Sequence, residues 1–264
     1  MKTELFFINA LSNLHVGSGD VNYGLVDNLI QRDPVTHLPT IHSSSLKGAL
    51  RDHFENVTDI KVDIKHIFGS KPKDKDQDRA QGNVRFFEAD LVAIPARCTG
   101  DTFPYVMVTA QNHLQRLSRR LEILGINAQF LTSLPTQQQS RTQVKIEDID
   151  TPVPVTNIPK EKQPYLDEHI AIVDESIMDR LCDDEHLPVI SRNCLEDGQS
   201  TNLFYEQVLP RYSRLCTILM GEGTAFNSFC ESLNGQLVQI GGNATIGYGY
   251  CLFTRFTPNN TPKQ

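Results

Sequence analysis

The chain has 264 residues, enough for one large domain or a core with sizeable insertions, and 39% hydrophobic with 22% charged residues is a globular balance. No apolar run approaches the ~18 residues of a membrane helix, and the opening Met1-Lys2-Thr3-Glu4 lacks signal-peptide features, so a cytoplasmic chain with no membrane partner is expected. The net charge of −7 excludes a general electrostatic sponge for nucleic acid, yet residues 141–187 hold 5 Lys/Arg against 12 Asp/Glu while the remainder holds 20 of each, so the acidity is local.

In chain order, residues 4–11 are rich in strand formers and predict a first strand, followed by the glycine-punctuated loop Leu14-His15-Val16-Gly17-Ser18-Gly19-Asp20. Residues 25–32 read as extended, and Pro34 and Pro39 then break the chain. Ser43 to Phe54 predicts a helix with a serine N-cap, its apolar face set by Leu46, Leu50 and Phe54. The polar stretch 71–80 has no apolar periodicity and reads as a mobile loop. Residues 84–92 return to strand, and Leu114, Leu117, Leu121 and Leu124 mark a second amphipathic helix over 111–124. The acidic, proline-bearing segment 141–187 reads as an insertion. Residues 203–219 and 236–256 are strand-like, with a helix near 224–233 between them. Strand, helix and strand followed by helix and strand suggests an α+β sandwich of ferredoxin-like kind.

Familiar sites are excluded by spacing. Gly17-Ser18-Gly19 is not a dinucleotide fingerprint, because Asn22 stands where the third glycine belongs. No Gly-Lys dipeptide exists for a P-loop, and there is no G-x-S-x-G or H-E-x-x-H. Six cysteines without a CxxC pair predict reduced, mostly buried thiols and no structural zinc. Ile246 to Phe253 imitates an RNP1 strand, but only eleven residues follow it, too few for the remaining elements of that domain.

Three features point toward phosphate. Gly241-Gly242-Asn243-Ala244-Thr245-Ile246-Gly247-Tyr248-Gly249 holds four glycines in nine residues, which lets backbone N–H groups approach an anion. The helix from Ser43 presents unpaired N–H groups beside serine hydroxyls. Lys47 and Arg51 sit one turn apart on it, as a phosphate-tracking pair or as a solvated basic face. Asp27 stands in a locally apolar stretch. It is either the wetted face of a strand or a carboxylate that holds Mg²⁺ or helps deprotonate a ribose hydroxyl.

Together these pieces resemble the RAMP superfamily of CRISPR proteins, and most closely the repeated backbone subunit of type III-B (Cmr-type) effector complexes. Leu14 to Gly19 is similar to its N-terminal glycine motif, and Val26-Asp27 with Ile30-Gln31-Arg32 to the segment bearing its catalytic aspartate. Ile41 to Arg51 resembles the S-x-L-K-G-x-x-R helix start with Ser44 first. Leu203-Phe204-Tyr205-Glu206 with Leu209-Pro210 resembles the segment after its thumb hairpin, and Gly241 to Gly249 its C-terminal loop. The match runs in order from residue 4 to about 255, and segment 141–187 contributes no motif to it.

The resemblance implies one domain over residues 1–264 with a modified ferredoxin-like (RRM-like) α+β fold, an insertion at about 125–187 and a thumb β-hairpin at about 189–205. It implies copies stacked in a filament along a guide RNA, beside other type III effector subunits, with a target single-stranded RNA cut at regular intervals. Asp27 would be the catalytic and metal-binding residue, with Mg²⁺ or Mn²⁺, and His15 and Glu206 its helpers. Ser44, Ser45, Lys47, Arg51, Arg192, Gly241 and Gly242 would contact RNA. Avidity along such a filament makes a neutral body tolerable. The alternatives are a non-catalytic scaffold of the same complex and a stand-alone endonuclease that processes the guide precursor by metal-free acid–base chemistry.

Overall fold

Strand β1 (Lys2–Ala10) is apolar on both sides: Leu5 and Phe7 enter one hydrophobic core, while Phe6 and Ile8 enter the other. Side chains alternate along a strand, so an unbroken Leu-Phe-Phe-Ile run belongs in a sheet covered on both faces. The computed structural model describes residues 1–19, 24–57, 62–71, 80–99, 103–134, 142–149, 151–196 and 199–257. The sequence expectation for 71–80 falls almost entirely outside them.

After β1 come β2 (Thr40–Ile41), α1 (Ser43–Asn56), α2 (Ile64–Phe68), β3 (Arg85–Phe86), β4 (Ala89–Thr99), β5 (Tyr105–Ala110) and α3 (Gln111–Ile123). The middle of the chain forms α4 (Gln129–Thr132), β6 (Gln143–Ile146), β7 (Val153–Asn157), α5 (Gln163–Leu166), β8 (His169–Val173) and α6 (Glu175–Cys182). The last third forms β9 (Val189–Glu196), β10 (Gln199–Gln207), β11 (Arg214–Gly221), α7 (Gly223–Leu233), β12 (Leu237–Gln239) and β13 (Tyr250–Arg255).

The main sheet runs β12-β13-β1-β11-β4-β5-β8-β7-β6, and β9 with β10 forms a separate two-stranded hairpin. Four consecutive strands of the main sheet, β13, β1, β11 and β4, pair antiparallel throughout. The β5–β8 pairing is parallel. One face is covered by α1, α2 and α7, where Phe54, Phe68, Phe86 and Phe229 pack in a ring cluster with centroids 5.2–6.2 Å apart. Helices α3, α4 and α5 cover the other, with Phe7, Phe130, Tyr165 and Phe256 clustered beneath them. Each fully buried ring among them, such as Phe7 or Phe229, contributes on the order of 2–3 kcal/mol.

Several expectations need correction. The helix has no serine cap: Ser43 already lies inside α1, the N-cap position is His42, and no side chain caps it. The His42 amide is satisfied from far away in sequence, by Gln31 Oε1 at 2.8 Å. Residues 25–32 form no strand; they make isolated bridges, Gly17 with Ile30, Asn28 with Glu206 and Arg32 with Pro39. The strand-like run 203–219 is divided, because β10 ends at Gln207 and a turn held by Ser213 N–H to the Pro210 carbonyl (3.2 Å) precedes β11. Phe87 and Glu88 similarly separate β3 from β4.

The acidic segment continues the main sheet. Val153 and Val155 point inward from β7, and β8 docks beside β5 with Met107 opposite Ile170. Helix α3 is tied to β4 by Arg120, which reaches Asp90 at 2.6 Å and Glu88 at 2.9 Å. Burial pushes the Asp90 carboxyl up to about 6, against the pull of Arg120 and with the help of Glu88. Cys182, Cys216, Cys230 and Cys251 are buried and unpaired, and burial raises their thiols, those of Cys182, Cys230 and Cys251 to about 12, which makes them inert.

Candidate active site and nucleic-acid interface

The end of β10 gathers the three acid–base candidates. Asp27 is exposed, and its Oδ2 accepts the Tyr205 N–H at 2.7 Å while its own N–H donates to the Tyr205 carbonyl at 3.1 Å. Asn28 continues the attachment, its N–H reaching the Tyr205 carbonyl and its carbonyl accepting the Gln207 N–H at 2.9 Å. His15 is buried, and its Nδ1 lies 2.7 Å from the Gln207 carbonyl. A carbonyl only accepts, so Nδ1 carries a proton. Two residues along a strand separate these anchor points by roughly 7 Å.

Glu206, between them in sequence, is almost fully buried. Its Oε2 accepts from Arg192 Nη1 and from Asn243 Nδ2, both at 2.9 Å. Arg192 also reaches Asn243 Oδ1 at 2.5 Å and stacks its guanidinium 5.3 Å from the Phe204 ring centre. This triad fastens the β9–β10 hairpin to the C-terminal glycine turn. Glu206 therefore acts first as a clamp, and Arg192 has its guanidinium occupied by the chain itself.

The glycine turn rests on the His15 loop. Gly242 N–H donates to the His15 carbonyl at 2.9 Å, and Gly249 N–H to the Asn13 carbonyl at 2.9 Å. Gly241 has φ +83°, and a Cβ there would stand 2.2 Å from the His15 carbonyl oxygen. Only glycine permits that approach.

The first turn of α1 reaches the same loop through Gln31. Its Nε2 donates to Ser45 Oγ at 2.9 Å and to the Gly17 carbonyl at 3.2 Å. Ser45, Gly17, His15 and Gly242 thus form one connected surface, with Ser44 exposed on the adjoining turn. Lys47 and Arg51 lead away from it. Lys47 lines a cavity of about 650 Å³ with His66, Asn83, Arg85 and Thr224, its Nζ 5.8 Å from the Phe86 ring centre. Arg51 pairs with Glu55 at 2.9 Å and donates to the carbonyls of Gly69 (3.1 Å) and Ser70 (3.4 Å), joining α1 to the loop after α2.

Sequence reasoning missed Gln31, Gln207 and Asn243. The glutamines are buried polar residues in apolar surroundings, and that mismatch in Leu29-Ile30-Gln31 and Gln207-Val208-Leu209 was their one available signal. Among the described residues no group of three or more His, Cys, Asp or Glu is placed to hold a metal ion. The Glu206 carboxylate is taken up by Arg192 and Asn243, which leaves Asp27 as the exposed one of the two, so these residues do not build a resident metal cage.

A mixed α/β chain with a nine-strand path, a hairpin standing off the sheet and a glycine turn seated on a histidine loop has known counterparts. The RAMP superfamily profile matches residues 7–252, and the chain belongs to that family. It is 26% identical over 288 residues to the CRISPR system Cmr endoribonuclease Cmr4 of Pyrococcus furiosus, spanning 96% of each protein. Over an alignment of 137 positions it is 36% identical to the CRISPR system CMR subunit Cmr4 of Saccharolobus solfataricus, which covers 49% of this chain and 42% of that one. In fold it resembles a chain of the type III-B Cmr-beta complex in its apo state (TM-score 0.75, 23% identity, 97% and 98% covered). A chain of that complex bound to cognate target RNA gives a TM-score of 0.76 at 21% identity, with 97% of each covered. Among the described residues no helix is long and apolar enough to cross a membrane.

Proposed function

We propose that this chain is a guide-RNA-binding backbone subunit of a type III CRISPR effector complex. Copies line up along the guide in the cytoplasm, beside other effector subunits, and cut the paired target RNA at regular intervals in antiviral defence. The observation that carries the reading is the placement of Asp27: an exposed carboxylate pinned by the Tyr205 amide, at the foot of the β9–β10 hairpin. The naming of a 26%-identical relative along 96% of the chain as a Cmr endoribonuclease supports the same activity.

The antiparallel order β13-β1-β11-β4, with α1 after the first strand and α7 after the third, supports a modified ferredoxin-like core. The hairpin would serve as the thumb, folding over the guide and displacing a nucleotide. Ser44 and Ser45 would meet the guide phosphates through their hydroxyls, and Gly241 and Gly242 would let the backbone of the guide approach because side-chain bulk is absent there. Lys47 and Arg51 extend that track along α1 and Arg192 along the hairpin, each exchanging or sharing its present partners with phosphate.

Asp27 accepts the proton of a target ribose 2′-hydroxyl. The 2′-oxygen then attacks the adjacent phosphorus as the bond to the 5′-oxygen breaks, and the 5′-oxygen takes a proton from solvent water, which yields a 2′,3′-cyclic phosphate and a 5′-hydroxyl end. His15, held by Gln207, orients the loop beside this point, and Glu206 keeps hairpin and glycine turn together. A Mg²⁺ or Mn²⁺ ion would arrive with the RNA phosphates, touch the protein through Asp27 and stabilise charge on the phosphate.

The test is to purify the protein with its partners, sequence the bound RNA and add a complementary target. Repeat-derived guide RNA and metal-dependent cuts at a constant spacing are expected. Guide binding without cutting would establish the scaffold alternative, and chelator-resistant cleavage of guide precursor by the isolated chain would establish the processing alternative.

A further inference from the structure

The acidic segment ends in a turn that grips the strip bearing Asp27. Helix α6 is anchored in the core by Met178, Leu181 and Cys182, and the chain then turns tightly. Asp183 Oδ1 accepts the N–H groups of Glu185 and His186, both at 2.9 Å, and lies 2.8 Å from His186 Nδ1. That local closure leaves Asp184 pointing at residues 28–32. Its Oδ1 accepts from Arg32 Nε at 3.0 Å and from Gln207 Nε2 at 3.1 Å, and Arg32 Nη2 lies 2.8 Å from the same oxygen.

Both partners lead to Asp27. Gln207 is fully buried, its Oε1 accepts the Ile30 N–H at 3.3 Å, and its backbone N–H holds the Asn28 carbonyl. Arg32 is further secured by the carbonyls of His37 (2.7 Å) and Cys182 (2.6 Å). One carboxylate oxygen therefore joins the end of the strip to the strand on which Asp27 is pinned. A charged acceptor shared by a guanidinium and a buried amide fixes geometry better than neutral contacts do.

We infer that Asp184 is a positioning residue: it latches the Asp27-bearing strip to β10, and this is a task of the acidic segment. The inference rests on the proposed function. A site that must place a carboxylate within about 0.5 Å needs its supporting strip locked from the side away from the substrate. Residues 28–32 form no continuous strand, and their isolated backbone bridges are supplemented by this side-chain latch.

The test compares Asp184→Ala and Asp184→Asn with the native protein in the assembled, guide-loaded complex, with Asp27→Asn as control. Asn keeps an Oδ1 acceptor and Ala removes it. In Asp184→Ala, amide hydrogen exchange at residues 28–32 is expected to quicken about tenfold. The single-turnover cutting rate per loaded complex should fall about tenfold while the KM for target stays unchanged, and Asp184→Asn, which keeps the acceptor and loses the charge, should recover part of both. Native exchange and native rate in Asp184→Ala would overturn the latch, as would an equal loss in both variants explained by poorer assembly. If the native complex does not cut at all, the proposed function fails, and the exchange comparison still decides the latch. If native cuts, Asp27→Asn does not and Asp184→Ala cuts normally, only the latch falls.

Discussion

Replacing Gly241 with alanine tests the seat of the C-terminal turn on the His15 loop. The added Cβ would lie 2.2 Å from the His15 carbonyl oxygen and 2.9 Å from its carbon. Relief takes roughly 1 Å of backbone movement, which breaks the Gly242 N–H bond to that same oxygen. Alanine at φ +83° costs about 1–2 kcal/mol, and the lost bond about 1–2 kcal/mol more, so the expected destabilisation is about 2–4 kcal/mol. For a chain of this length that is a fall in Tm of roughly 5–15 °C. Gly247→Ala is the control, because its φ is +84° yet nothing lies within 4 Å of the added Cβ. It should lose about 1–2 kcal/mol, the backbone cost alone. Urea unfolding of the two variants and the native chain measures the difference. Equal losses would refute the claim that turn and loop are locked together.

Two further outcomes follow from single side chains. Asp90 has a folded-state pKa of about 6 against an ordinary 3.8, so its contribution is fully present below about pH 4 and is lost as pH rises through about 6. At about 1.4 kcal/mol per pH unit the ceiling is about 3 kcal/mol, lowered by partial exposure of the carboxyl. Urea midpoints from pH 4 to 7 should show the native chain losing ground to Asp90→Asn over that window, and parallel profiles would contradict it. Lys47→Ala should weaken guide binding equally for all guide sequences and reduce the salt slope of log affinity by about 0.7 per subunit. Affinity measured against salt for two unrelated guides checks this, and a loss confined to one guide would exclude phosphate contact.

The elements that could be read in the sequence are those whose signal is local. Leu46, Leu50 and Phe54 mark α1 because a helix repeats its buried face every turn, and Leu114, Leu117 and Leu121 do the same for α3. The acidic segment hid its strands: charge and proline obscured the alternation of Val153 and Val155, and the parallel pairing of β8 with β5 has no local signature. The helix cap went astray for a related reason. A serine beside a helix start invites capping, but the N-cap position falls one residue earlier, on His42, and Gln31, a distant residue in sequence, engages the Ser45 hydroxyl.

The site divides the same way. Asp27 and the glycine turn stood out as residue types in unusual settings and His15 entered only through the family resemblance, whereas their joining depends on pairs such as Asp27 with Tyr205, 178 residues apart. The direction of Lys47 and Arg51 likewise depends on α2 and β3, which alone decide what a helix face meets. Chemistry-bearing residues were visible; the hydrogen bonds that orient them belong to the fold.

The most direct trial of the central claim is single-turnover cleavage of a complementary RNA by the complex assembled with Asp27→Asn. Asparagine keeps an acceptor for the Tyr205 amide, so assembly and guide binding should match the native complex. Cutting at every regular interval should fall by at least about a hundredfold, the lower end of what a general base supplies. Undiminished cutting at the native spacing would remove Asp27 from the chemistry.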